Sequence, residues 1–301
     1  MGSGLSLVLF PVALGIVMFG LGLTLTVEDF RRVMRYPRVV VISLVCQMLI
    51  LPAICLGLVV AFDLRPELAV GMMLLAASPG GSTASLYSHL FKGNVALNVS
   101  LTAINSVLAL FTLPLIVNLA VAGFIGSDTS IGLQFDKVIQ VFAMVLIPIA
   151  VGMAIRARFT DFAVRMERTV KVLSIVVLVV MITGALSGIK DDIAATIGEI
   201  IVIVLVFNLI SLAIGYVAPR ALRVPHRESV ASSFEIGLHN ATLAITIGMS
   251  PALLDSTDMA MPSVIYGTVM FFTAVAFGFV AARRTAAGTE VTGRAADSTT
   301  V

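Results

Sequence analysis

Glu235, His239 and Asn240 stand within six residues of one another in the stretch FEIGLHN (residues 234–240), with apolar runs on both sides. Groups of these types can hold a cation, pass a proton or bind an anion. An ionised carboxylate in mid-membrane costs roughly 2.5–3.5 kcal/mol even on the lenient insertion scale, so Glu235 needs a partner. No Lys or Arg falls at matching depth in any apolar run, which makes a mobile cation the natural counter-charge. Sodium takes hard oxygen ligands. Candidate oxygens at suitable depth are those of Gln47, Ser82, Thr83, Ser85, Asn98 and Thr102, with the main-chain carbonyls around Ile236 and Leu238. Asn98 and Thr102 are four apart, so one helical face presents both.

A second interruption lies at SPGGSTAS (residues 78–85), where Pro79, Gly80 and Gly81 cannot continue a helix without a kink or unwinding. The helical halves that resume after Gly81 and around Asn240 expose N–H groups that suit a carboxylate. Ser82, Thr83 and Asn240 are placed to add side-chain hydrogen bonds, so the expected substrate is an organic anion.

The elements that carry these residues are set by composition. Of 301 residues, 59% are hydrophobic and 12% charged, and the mean hydropathy of +1.08 excludes an ordinary soluble domain. The expectation is an all-α polytopic membrane protein, because lipid offers no partner to free backbone groups. Nine spans are expected, near 5–25, 38–61, 67–91, 94–123, 138–158, 169–189, 196–218, 229–253 and 261–282. The first is read as a retained span, since no basic segment precedes its long apolar stretch. Residues 283–301 read as a disordered cytoplasmic tail. Sixteen of the 19 Lys and Arg fall on one side of this arrangement, which places the N-terminus outside and the C-terminus in the cytoplasm of a cell membrane, plasma or inner. Cys46 and Cys55, nine residues apart in one helix, are too distant to pair.

Matching spans one to four with six to nine puts the two broken helices at equivalent places with opposite direction, the pattern of an inverted-topology repeat. In transporters of that design the unwound segments cross near the bilayer centre, with cation and substrate sites beside the crossing. Nothing in the chain suggests an enzyme: it lacks paired membrane aspartates, a histidine pair for a metal, and a nucleophile with an evident base. No motif calls for an organic cofactor, a transition metal or nucleic acid.

The segments VMFGLGLTL (17–25), QMLILP (47–52), SPGGSTAS with KGNVALNVSLT (78–102) and FEIGLHN resemble the bile acid:sodium symporter family, in order and spacing over about residues 10–280. The resemblance implies a transmembrane unit over 1–282 divided in two. The core comprises 38–61, 67–123, 196–218 and 229–282, and the panel 5–25, 138–158 and 169–189. It also implies two sodium ions beside the crossing, with Glu235 touching both. One ion would add Ser85, Asn98 and Thr102. The other would add Gln47, His239 and the carbonyls of Ile236 and Leu238. This chain departs from the family pattern at His239, where Gln is common, at Ala84 and Ser85, where Ser and Asn are common, and at Asn98, where Ser is common. Imidazole is a softer ligand than an amide oxygen, and it titrates near neutrality, which would make transport pH-sensitive. The expected activity is sodium-coupled symport of an organic anion, a bile acid or a smaller carboxylate, by alternating access. The alternative is a proton-coupled or uncoupled anion carrier with Glu235 as the protonation site.

Overall fold

Pro37 and Pro66 each occupy the first turn of a helix, and Pro225 immediately precedes one, positions where a missing N–H is no loss. These prolines set the beginnings of three of the helices that carry the candidate residues. The computed structural model describes residues 12, 15, 16, 18–126, 135–166, 169, 170, 172, 173, 176, 193–250 and 253–297. Most of the expected span 169–189 lies outside the described residues, as does the beginning of the first.

Helical residues 18–24 lead to a short helix, α1 (Val27–Arg32), closed at its start by a reciprocal box. Asp29 N–H donates to Thr26 Oγ1 (3.3 Å), and Thr26 N–H donates to Asp29 Oδ2 (2.8 Å). The next helix, α2 (Pro37–Ala61), contains one π turn at Cys46–Ile50. Pro52, just beyond it, lacks the N–H that would continue an α ladder and crowds the carbonyl four residues back, which explains the wider turn. Gln47 sits on this turn.

The helices α3 (Pro66–Ala77) and α4 (Ser82–Leu90) lie on either side of the first break. Every residue of α3 from Leu68 to Ala77 is buried, as expected for a helix apolar on all sides. Helix α5 (Val95–Phe124) is opened by the Asn94 side chain, which accepts from Leu97 N–H at 3.1 Å. Helices α6 (Phe135–Arg158) and α7 (Ile193–Ala221) follow. The second broken pair is α8 (His226–Gly237) and α9 (Ala241–Met249), and α10 (Thr257–Asp297) ends the described chain. Helix α10 thus extends through most of the stretch expected as a disordered tail. Residues 283–297 contain no proline, and extending a helix costs less than starting one.

Among the described residues, four helices are long and apolar enough to cross a bilayer: Pro37–Ala61, Val95–Phe124, Thr196–Ala221 and Thr257–Arg283. Their outward faces carry exposed apolar side chains such as Leu49, Leu56, Phe111, Leu119, Phe272 and Phe279, as a lipid-facing surface requires. The fold is therefore all-α and multi-pass. Helix α7 packs along α8, α3 lies against α5 and α10, and α9 packs on α10. Residues 18–24 cross α6 where Gly152 meets the backbone of Phe19 and Gly22; a Cβ at Gly152 would come 2.6 Å from the Phe19 carbonyl oxygen. This backbone-to-backbone approach is the small-residue packing that membrane helices use in place of a hydrophobic drive.

Candidate functional site

The residue before a proline is pushed out of the helical region, and Ser78 accordingly sits extended at φ −71°, ψ 138°, ending α3. Its counterpart in the second break is Leu238 (φ −117°, ψ 73°), which ends α8. The two breaks cross each other. Gly81 N–H donates to the Leu238 carbonyl at 2.9 Å, and Asn240 N–H donates to the Pro79 carbonyl at 2.7 Å, with Gly80 facing His239 as an antiparallel bridge. Backbone groups that each helix gives up are thereby satisfied by the other, at a depth where water is scarce.

Two more carbonyls at the crossing, those of Ser78 and Gly237, are held by side chains. Ser78 O accepts from Gln47 Nε2 (3.0 Å) and stands 2.9 Å from His239 Nδ1. Because a carbonyl only accepts, this contact assigns the proton of the neutral ring to Nδ1. The imidazole stacks on Phe207 (centroids 5.6 Å apart, 19° between planes) and meets the ring of Tyr266 edge-on. On the other side of the crossing, Gly237 O accepts from both Asn208 Nδ2 and Tyr266 OH, each at 2.9 Å, while Thr273 Oγ1 donates to Asn208 Oδ1. Nothing in the sequence pattern singled out Asn208 or Tyr266. The one legible signal was that of Asn208, a lone carboxamide within an apolar span, which is costly unless it has a partner.

Glu235 is in the last turn of α8 and 1% exposed. Thr102 Oγ1 donates to Glu235 Oε2 at 2.5 Å and also stands 3.1 Å from the Asn98 carbonyl. Asn98 Nδ2 donates to the Ala231 carbonyl at 2.9 Å, which turns its Oδ1 away. The structure thus joins Asn98, Thr102 and Glu235 in one contact group, and Gln47 and His239 in another around Ser78. Three buried oxygens, Gln47 Oε1, Asn98 Oδ1 and Glu235 Oε1, have no hydrogen-bond partner among the described residues, and neither has His239 Nε2. Oxygens without donors, one of them from a carboxylate, are the donor chemistry of a hard monovalent cation. The three salt bridges among the described residues all lie elsewhere.

Other expected site residues are placed as follows. Ile236 and Leu238 are buried, and one lone pair of the Leu238 carbonyl is already used by Gly81. Ser85 and Thr83 are partly buried in the first turn of α4, which Ser82 opens; the Ser82 side chain lies outside the described set. Asn240 caps α9, its Oδ1 accepting from Leu243 N–H at 3.0 Å, so its amide nitrogen is left to point elsewhere.

Gly80 explains the closeness of the crossing. A Cβ there would fall on the Glu235 carboxylate and 2.6 Å from the Glu235 carbonyl oxygen, so no other residue leaves room for the acid. A small cavity adjoins the crossing, lined by Pro79, Asn240, Met18, Leu21, Ile149 and residues of α5 and α9.

Comparison with known proteins completes this geometry. The sodium bile acid symporter family matches residues 11–196, more than half of the chain. The chain belongs to this family. Similar proteins include the uncharacterized sodium-dependent transporter YocS of Bacillus subtilis (strain 168), 29% identical over 255 residues, which are 85% of this chain and 77% of the relative. The probable sodium/metabolite cotransporter BASS2, chloroplastic, of Oryza sativa subsp. japonica is 29% identical over 239 residues, 79% of this chain but only 56% of that protein. The human ileal sodium/bile acid cotransporter is 25% identical over 238 residues, 78% of this chain and 67% of that protein. The sodium bile acid symporter family is one of transporters, not enzymes. Its match covers the first break and the α5 residues Asn98 and Thr102, and stops short of Glu235.

Proposed function

We propose that this chain is a sodium-coupled symporter of an organic anion that works by alternating access. One observation carries the reading: at the crossing of two broken helices, a buried carboxylate and two buried carboxamides each present an oxygen with no donor, Glu235 Oε1, Asn98 Oδ1 and Gln47 Oε1. Sodium is here a transported substrate. Asn98, Thr102, Ser85 and Glu235 are proposed to hold one ion, and Gln47, His239, Glu235 and the Ile236 and Leu238 carbonyls a second. Ser82, Thr83 and Asn240 are proposed to receive the anion at the starts of α4 and α9. With the ions in place the crossing is neutralised and stiffened, and the core, comprising α2 to α5 and α7 to α10, moves against a panel of the first span, α6 and the span after it. The backbone contact of Gly152 with Phe19 and Gly22 supports that panel pairing. The same reading keeps nine spans as inverted repeats, an outside N-terminus and a cytoplasmic C-terminus.

The driving force is sufficient for useful accumulation. One net positive charge moving inward gains about 2.3 kcal/mol per 100 mV. Two ions down a tenfold gradient add about 2.8 kcal/mol. Together they sustain a monoanion gradient of a few thousandfold.

A second reading has an observation of its own. If Glu235 Oε2 is protonated, it can donate to Thr102 Oγ1, whose hydroxyl then turns to the Asn98 carbonyl 3.1 Å away. That relay suits a proton-coupled or uncoupled carrier. Replacing external sodium with potassium in proteoliposome uptake separates the two: a sodium symporter stops, whereas a proton-linked carrier continues. Glu235→Gln is expected to abolish sodium-driven uptake, and undiminished salt-driven uptake by this variant overturns the reading.

A further inference from the structure

Each break has one carbonyl that a carboxamide holds from another helix. Ser78 O, immediately before Pro79, accepts from Gln47, 31 residues earlier; Gly237 O, immediately before Leu238, accepts from Asn208, 29 residues earlier. The two carboxamides differ at their oxygens. Gln47 Oε1 is buried with no partner, whereas Asn208 Oδ1 accepts from Thr273 Oγ1 on α10. That donor fixes the orientation of the Asn208 amide, with its nitrogen toward Gly237. Asn208 is thus a fixture and not an open ligand.

The peptide unit it holds is bound at both ends. Leu238 N–H donates to the Phe234 carbonyl at 3.1 Å, and the Gly237 carbonyl accepts from Asn208 Nδ2 and Tyr266 OH at 2.9 Å each. Gly237 has no room for a side chain, since a Cβ there would fall 2.4 Å from Leu212 Cδ2. A glycine at the end of a broken helix has the widest backbone freedom, and three hydrogen bonds remove it here. The Ile236 and Leu238 carbonyls flank this peptide. Asn240 N–H, which would continue α8 by bonding Ile236 O, goes to Pro79 instead, and Leu238 O gives only one lone pair to Gly81.

We infer that Asn208, Tyr266 and Thr273 are positioning residues for the second cation: without touching it, they immobilise the 237–238 peptide and so hold the Ile236 and Leu238 carbonyls at a spacing suited to sodium. The inference rests on the sodium-symport reading and deepens it. Tyr266 also sets its ring edge-on to His239, with centroids 5.4 Å apart, so one side chain steadies both the backbone and the imidazole assigned to that ion. Carbonyls discriminate among hard cations by size only while their spacing is held. Loosening the peptide therefore costs sodium preference as well as sodium affinity.

The test titrates the whole purified chain with sodium, lithium and potassium chloride and follows thermal unfolding against a choline baseline. Thr273→Val keeps the side-chain shape and removes the donor that orients Asn208; Tyr266→Phe keeps the ring and removes the other donor to Gly237. Each is expected to raise sodium half-saturation about two- to tenfold, as loss of one neutral hydrogen bond does. The margin by which sodium outbinds lithium should shrink about threefold or more. Thr273→Ser, which keeps the hydroxyl, should restore both values. A role confined to stability would lower the unfolding temperature in choline and leave that margin unchanged. The two variants remove different donors, so either one decides if the other does not fold. An unchanged margin in the folded variants overturns the inference, while sodium-specific stabilisation of the wild type leaves the symport reading standing. A wild type that sodium stabilises no more than choline does overturns both.

Discussion

Replacing Gly80 with alanine adds one methyl group to the tightest point of the crossing. The backbone there is not left-handed, so alanine meets no torsional penalty and the change tests space alone. The new Cβ would overlap the Glu235 carboxylate at Oε1, the atom proposed to face sodium, and would come 2.6 Å from the Glu235 carbonyl oxygen. That carbonyl is part of α8, whose end is tied to the first break through Gly81 and Leu238, so neither side is free to retreat. Reaching even a 3.0 Å contact needs a displacement of about 0.4 Å from the carbonyl oxygen and about 0.7 Å from the carboxylate, and overpacking of this kind costs roughly 1–3 kcal/mol. If the cost falls on ion binding, sodium affinity drops by about 5- to 150-fold. If it falls on the apo fold, the unfolding temperature drops instead. A sodium titration followed by thermal unfolding, together with sodium-driven counterflow, separates the two. A Gly80→Ala protein with wild-type sodium half-saturation and wild-type stability would show that the closeness of Gly80 to Glu235 has no functional role.

Three further changes address other parts of the site. Thr102→Val keeps the shape but removes the donor to Glu235 Oε2; with about 1.5–3 kcal/mol at stake, sodium half-saturation should rise tenfold or more, and an unchanged value argues against the contact. Tyr266→Phe leaves Asn208 donating to the Gly237 carbonyl and should cost about 1 kcal/mol, whereas adding Asn208→Leu strips the carbonyl of both side-chain donors. The double variant should therefore lose more stability than the sum of the single ones, and strict additivity in thermal unfolding would contradict the shared carbonyl. Gly152→Val pushes into the backbone of Phe19 and Gly22 and should destabilise by about 1–3 kcal/mol, while Gly57→Ala, which meets nothing within 4 Å, should be neutral or stabilising.

Much of this protein is written locally in its chain. The apolar runs, the helix starts at Pro37 and Pro66, the cap at Asn94 and the two interruptions follow from side-chain solvation and from backbone rules that act over a few residues. The i, i+4 pairing of Asn98 with Thr102 and the isolation of Glu235 from any Lys or Arg were equally legible. The partners of the freed backbone groups were not. That Leu238 O is taken by Gly81, that Gln47 turns its nitrogen and not its oxygen to Ser78, and that Asn208 and Tyr266 converge on Gly237 depend on contacts between residues 29 to 157 positions apart. Gly80 reads in sequence only as a helix breaker; its larger consequence, the room it leaves for a carboxylate from another helix, exists only once the two breaks cross. Helix formation and membrane insertion are decided along the chain, whereas which buried oxygen keeps a free lone pair is decided by the helices packed around it.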